Sequence, residues 1–169
     1  MSLTIRRAER ERDRAAVWTI LEPIIRAGET YPLPRDMTEK AAIAYWLSSL
    51  HHTFVAEDNA DNIVGTYYIR PNNSGGGAHI ANCGYMVAAN AQGKGVARTM
   101  CAHSIAYAKE QGYRGIQFNF VLASNERAVK LWSSMGFKTL GRLPGVFEHP
   151  RLGYVDALLM FMDLSKAPD

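Results

Sequence analysis

The apolar positions change period several times along the chain. Leu3 to Ala8 alternates weakly and predicts a first strand. From Asp13 the period lengthens: Val17, Ile20, Leu21, Ile24 and Ile25 fall on one helical stripe. Pro23 interrupts that stripe and predicts a kink or break. Gly28 to Pro34 reads as loop. A second helix follows, capped by Asp36 or Thr38 and running to about Leu50, with Glu39 placed as in a capping box. His51–Glu57 and Ile63–Arg70 read as a strand pair around an Asn59–Asn62 turn. Ala78–Val87 predicts a fourth strand. A third helix starts near Gly95, with Ala97, Met100, Cys101, Ser104, Ile105 and Ala108 on its inner stripe, and Gly112 stops it. Gly115–Leu122 is a fifth strand. A fourth helix runs from Ser124 or Asn125 to Met135, with Gly136 after it. Phe137–Leu143 and Tyr154–Asp163 close the chain as strands, joined by a polar, proline-containing loop.

The predicted order is β-α-α-β-β-β-α-β-α-β-β, a mixed α+β (α/β) class. The strand–helix–strand unit over residues 78–121 implies one parallel crossover. At 169 residues the chain is expected to form a single domain, 1–169. Asn72-Asn73-Ser74-Gly75-Gly76-Gly77 reads as a loop inside it.

Composition narrows the function. Apolar residues make up 47% of the chain, but no run approaches a membrane span, and the N-terminus lacks an apolar leader. Two cysteines, Cys83 and Cys101, make neither a disulfide framework nor a four-ligand zinc site, so no metal is expected and a reducing cytoplasm is the default. The net charge of +3 permits an anionic small ligand and is too small to argue for nucleic acid.

The segment from Val87 to Arg98 carries the strongest chemistry. Gly93 and Gly95 lie between a strand and a helix and let the backbone approach a ligand closely. The unsatisfied amides of the helix start, at Val96 and Ala97, attract an anion, and Lys94 and Arg98 add charge. The spacing fits neither the nucleotide P-loop nor the dinucleotide fingerprint. A pyrophosphate-bearing cofactor is one reading, and a plain glycine turn is the other.

Gln92-x-x-Gly95-x-Ala97 resembles the Q/R-x-x-G-x-G/A signature of GNAT-superfamily acyl-CoA N-acyltransferases. Asn125-Glu126-Arg127-Ala128-Val129-Lys130-Leu131-Trp132, followed by Met135-Gly136-Phe137, resembles that family's N-x-x-A-x-x-L-[YW] helix and its G-F end. The resemblance implies a GNAT-type fold, a mixed sheet of about seven strands with four helices. It implies acetyl-CoA as co-substrate, with the Gln92–Ala97 amides on the pyrophosphate. The strand ending at Val87 is expected to pair with the pantetheine arm, the Tyr85 amide to polarise the thioester carbonyl, and Asn125 to bond the pantetheine. Many members carry a tyrosine as general acid where this chain has Trp132, whose indole N–H cannot serve near pH 7. A homodimer is a further family-level expectation.

Three asparagines suggest a narrower resemblance. Gln117-Phe118-Asn119-Phe120-Val121 with Ser124-Asn125, together with Asn82, is similar to the yeast proline-analogue N-acetyltransferases. By that resemblance the acceptor is a small amine of amino-acid type, Asn119 holds its carboxylate, and Asn82 lies near it. The alternative is that both asparagines cap backbone groups at a bulge. The loop Gly28–Arg35 is the other candidate acceptor wall. Glu29 could bind or deprotonate an ammonium, Arg35 could take a carboxylate, and Tyr31 lies between them. The competing reading is a solvated loop. Direct transfer without an acyl-cysteine is favoured, since no base neighbours either cysteine in sequence. Rival functions are a protein or peptide N-acetyltransferase, which needs an open groove, and a non-catalytic CoA-binding module.

Overall fold

The computed structural model describes residues 2–165. Its elements are β1 (Thr4–Arg7), α1 (Arg10–Ala27), α2 (Glu39–Trp46), β2 (His52–Glu57), β3 (Ile63–Pro71), β4 (Ile80–Val87), α3 (Val96–Glu110), β5 (Gly115–Leu122), α4 (Glu126–Ser134), β6 (Lys138–His149) and β7 (Gly153–Asp163). The seven strands form one sheet in the order β1-β2-β3-β4-β5-β7-β6. Only β4 and β5 pair in parallel; every other neighbour pair is antiparallel. The predicted class, element order and crossover all hold.

Each face of the sheet has its own core. Val55, Tyr68 and Met86 pack against Val17, Leu21, Ile25 and Trp46 of α1 and α2. Tyr67, Ile69, Ala81 and Cys83, of the opposite parity, pack against Val96, Met100 and Cys101 of α3 and Trp132 of α4.

Three boundaries depart from the sequence reading. Helix α1 runs unbroken through Pro23. The ring is exposed, so the hydrogen bond it forfeits lies on the solvent side, while Ile20, Leu21 and Ile25 fix the helix from the core side. Helix α2 stops at Trp46, well before Leu50. The Trp46 carbonyl is captured by the Thr53 hydroxyl at 2.8 Å, which turns the chain into β2. Thr38 is its cap, accepting from Ala41 N–H at 3.3 Å, so the Asp36 capping box does not form. Strands β6 and β7 continue through most of the segment read as a loop. Pro144 and Gly145 are absorbed in a register shift between Leu143 and Phe147, which an edge strand tolerates because its outer backbone has no ladder to break.

The start of α1 is tied to β1 and β2 by a nearly buried carboxylate. Asp13 accepts from two Arg6 nitrogens at 2.7 and 2.8 Å and from the Glu9 amide at 2.7 Å, and Arg6 Nε also donates to Glu57 at 2.8 Å. The Arg6 hydrogen bonds hold the Asp13 carboxyl below its ordinary value of 3.8. Asp13→Asn leaves Arg6 short of a charge partner and is expected to cost about 3 kcal/mol, read as a lower urea midpoint at unchanged slope. A depressed folded pKa stabilises above the ordinary value and loses its effect as pH falls through the folded one. The difference between wild type and variant therefore persists at neutral pH and narrows only below about pH 3.8.

Candidate active site

Strands β4 and β5 share two rungs, Ile80 with Gly115 and Ala81 with Ile116, and then separate. Where a third rung would stand, Asn82 Nδ2 donates to the Gln117 carbonyl at 2.9 Å. Strand β4 remains paired with β3 as far as Val87. The Ala88 amide bonds Val64 on the β3 side, so Cys83, Tyr85 and Val87, of the other parity, turn their backbone groups into the gap.

Tyr31, from the α1–α2 loop, fills part of that gap. Its hydroxyl accepts from the Tyr85 N–H at 2.8 Å and donates to the Tyr85 carbonyl at 2.8 Å. Burial pushes the Tyr31 phenol upward, so it stays protonated at neutral pH. The Tyr85 side chain points the other way. Its ring lies between Tyr67 and Trp132, at 5.5 and 4.9 Å between centroids, and its hydroxyl is 2.6 Å from Ser104 Oγ. Only the Tyr85 backbone therefore belongs to the gap. Trp132 is a packing residue between Tyr85 and Phe118.

Beyond Val87 the chain makes a short 3-10 turn, Ala89–Ala91, and enters the glycine loop. Gly93 and Gly95 have φ of 78° and 83°, which a side chain rarely adopts. Gly95 caps α3 without any side-chain ligand, and the first helical bond runs from Thr99 N–H to the Gly95 carbonyl. The amides of Val96, Ala97 and Arg98 lie ahead of that bond, at the positive end of the helix. A Cβ on Gly95 would meet nothing within 4 Å, so the loop faces open space. Gln92 and Lys94 are exposed beside it, and Arg98 is held by Ser134 at 2.7 Å. Arg127 of α4, which the sequence reading passed over, stands above the loop: a Cβ on Gly93 would lie 3.3 Å from its guanidinium. Its place on the polar side of α4 was the available signal.

On the α1–α2 face, the asparagines form a relay. Gln117 Nε2 donates to Asn119 Oδ1 at 2.8 Å, and Asn119 Nδ2 donates to Asn72 Oδ1 at 2.7 Å. Asn119 sits at the β5 register shift and bonds side chains, not backbone. Glu29 pairs with Arg151 of the β6–β7 turn at 2.7 Å, across an open cavity of about 260 Å³ that Thr30, Ser124, Asn125 and His149 also line. Asn125 Oδ1 caps α4 by accepting from Ala128 N–H at 3.2 Å. The Ser124 hydroxyl is buried without a hydrogen-bond partner among the described residues. Arg35 is not turned to this cavity. Its Nε donates to the Arg26 carbonyl at 2.8 Å while Arg26 donates back to the Arg35 carbonyl at 2.6 Å, which braces the loop against the end of α1.

Neither cysteine is poised as a nucleophile, since burial pushes both Cys83 and Cys101 up to about 12. Among the described residues, no group of three or more His, Cys, Asp or Glu side chains is placed to hold a metal, and no helix is long and apolar enough to cross a membrane.

Residues 17–137 match the model of the acetyltransferase (GNAT) family. The chain is 30% identical over 156 residues to N-acetyltransferase aca1 of Schizosaccharomyces pombe, covering 80% of this chain and 72% of that protein. A GCN5-related N-acetyltransferase from Kribbella flavida superposes with a TM-score of 0.92 at 39% identity, over 96% of this chain and 98% of that one. The yncA structure from Salmonella typhimurium, solved with its cofactor acetyl-CoA, shares the fold with a TM-score of 0.84 at 22% identity, over 100% and 99% of the two chains. The chain belongs to the GNAT family of acetyltransferases.

Proposed function

We propose that this chain transfers an acetyl group from acetyl-CoA to the amine of a small molecule of amino-acid or imino-acid type, by direct attack. The single observation that carries the reading is the gap between β4 and β5, with backbone donors of β4 facing it and a phosphate-ready helix start at its end. The residues suit acetyl-CoA. The open loop at Gly95 and the amides from Val96 to Arg98 accommodate a pyrophosphate, with Lys94 and Arg127 nearby. The β4 edge at Cys83, Tyr85 and Val87, which faces the gap, accommodates an amide-bearing arm as an added strand once Tyr31 yields its place.

Acetyl-CoA supplies an activated thioester. The Tyr85 N–H is the donor available to polarise its carbonyl, a role worth about 2.7–4 kcal/mol where such donors have been removed. Tyr31 now occupies that N–H, so its hydroxyl yields the position to the acyl oxygen and stays beside it as a neutral donor. Asn119, Asn72 and Gln117 order acceptors and water along the route by which the amine loses its proton. Glu29, paired with Arg151 at 2.7 Å, can hold an ammonium at the cavity mouth. Acetylation joins the amine nitrogen to the acyl carbon as the carbon–sulfur bond breaks, and with Trp132 in the family's acid position the leaving thiolate takes its proton from solvent. The Glu29–Arg151 bridge spans the groove that a peptide acceptor would need open, which favours a small acceptor. The homodimer implied by the resemblance would cover the exposed Leu140, Leu143, Val146 and Tyr154 of the β6–β7 edge.

Two outcomes are expected. Gly95→Ala weakens acetyl-CoA binding about tenfold by calorimetry, because a methyl group enters the open loop. Gly112→Ala, at a similar φ of 78° with nothing within 4 Å, carries the same backbone strain and leaves that affinity unchanged. In a thiol-release assay over azetidine-2-carboxylate, proline, phosphinothricin, polyamines and a peptide, turnover is expected with small amino or imino acids and falls at least tenfold in Asn119→Ala. Turnover with the peptide alone would move the enzyme to the protein-acetylating class.

A further inference from the structure

Arg70 ends the polar side of β3. Its cross-strand partner is Asn82, the residue that bridges the β4–β5 gap. Both share the parity of Tyr68 and Met86, so both side chains leave the sheet on the α1–α2 face, where the asparagine relay and the α1–α2 loop also lie.

The Arg70 guanidinium has a donor left unfilled. Its Nε is buried with no hydrogen bond, and none of the described carboxylates pairs with it. Arg6, Arg14, Arg142 and Arg151 all hold an acidic partner. The Arg70 charge is felt by Tyr68 and His51, neither of which is a carboxylate. Tyr68 and Tyr45 share a hydroxyl–hydroxyl bond at 3.1 Å, and burial raises the Tyr68 phenol. His51, stacked on Tyr68 at 4.4 Å, is held below its usual value chiefly by burial, with the Arg70 charge adding to the depression. Gly84 makes this arrangement feasible, because a Cβ there would lie 2.7 Å from the Tyr68 ring. A half-buried cation with a buried donor nitrogen unfilled and no described carboxylate paired to it is a costly arrangement for folding alone and a favourable one for an arriving anion.

We propose that Arg70 is a specificity-determining residue that takes the carboxylate of the acceptor, so that the preferred acceptor is a small α-amino or cyclic imino acid with a free carboxyl group. The inference rests on the small-amine reading above and sharpens it. It moves the carboxylate contact from Arg35, which braces its own loop, and from Asn119, which bonds Gln117 and Asn72, to the strand floor beside Asn82. A guanidinium binds a carboxylate through two parallel N–H bonds, which an ammonium cannot reproduce.

The test uses acceptor pairs that differ only in the carboxyl group, azetidine-2-carboxylate with azetidine and methionine with 3-methylthiopropylamine, at saturating acetyl-CoA. Wild type is expected to prefer the carboxylate member at least 100-fold in kcat/KM. Arg70→Gln abolishes that preference, chiefly through KM, and leaves the decarboxylated amines and the KM for acetyl-CoA within about twofold. Arg70→Lys restores part of it. An equal loss on both members of a pair, or a wild type indifferent to the carboxylate, overturns the assignment. Equilibrium dialysis of labelled azetidine-2-carboxylate and methionine against the CoA-bound protein reads the same contact without turnover. Retention by wild type and release by Arg70→Gln supports the assignment, even if only a peptide is acetylated and the small-amine reading fails. Turnover of decarboxylated amines with no carboxylate retained by wild type overturns Arg70 and leaves the small-amine reading standing.

Discussion

The separation of β4 from β5 after Ala81 is the constraint on which the rest of the site depends. A strand inside a sheet that loses its neighbour leaves backbone donors and acceptors unpaired, and these must be met by something else. The chain meets them piecemeal. Asn82 bridges the opening with a side-chain amide, and Tyr31 satisfies both backbone groups of Tyr85 with one hydroxyl. Both are interactions that an incoming strand-like ligand can replace group for group. In the proposed reaction the arm of the acyl donor, which carries its own amides, takes this edge.

The loop bearing Tyr31 is held from two sides. Gly28, in the left-handed region at φ 65°, turns the chain out of α1, and the reciprocal bonds of Arg26 and Arg35 fix its far end. Glu29 ties the same loop to Arg151 on the opposite rim. The gap therefore has a floor from the sheet, a wall from the α1–α2 loop and a rim from the β6–β7 turn. The Arg6–Asp13–Glu57 cluster anchors the start of the helix that carries the loop. Stability and function are thus joined through α1.

Much of this was readable from sequence. Periodicity placed every strand and helix, and the two motifs placed the glycine loop between β4 and α3 and the helix α4 after β5. The failures share a cause: a local breaker was outvoted by packing. Pro23 did not end α1 because its exposed face forfeits little, and Pro144–Gly145 did not end β6 because edge strands accept bulges. At the site, residue type pointed to candidates but not to partners. Arg35 and Glu29 looked alike as loop charges, yet one bonds backbone and the other closes a rim. Tyr31 carried no sequence signal for its contact with Tyr85, which depends on a fold joining positions far apart in the chain. Arg70 was hidden for the opposite reason: its significance lies in lacking a partner, which only the assembled structure reveals.

In the proposed reaction the acyl donor docks on the β4 edge now held by Tyr31. Amide NMR of the labelled protein titrated with acetyl-CoA addresses it directly. Large shifts are expected at Cys83, Tyr85 and Val87, whose amides face the gap, together with loss of the Tyr31 hydroxyl contact and little change at Gly84 and Met86, which face β3. Saturating acetyl-CoA binding with the Tyr85 and Val87 amides unmoved would contradict it.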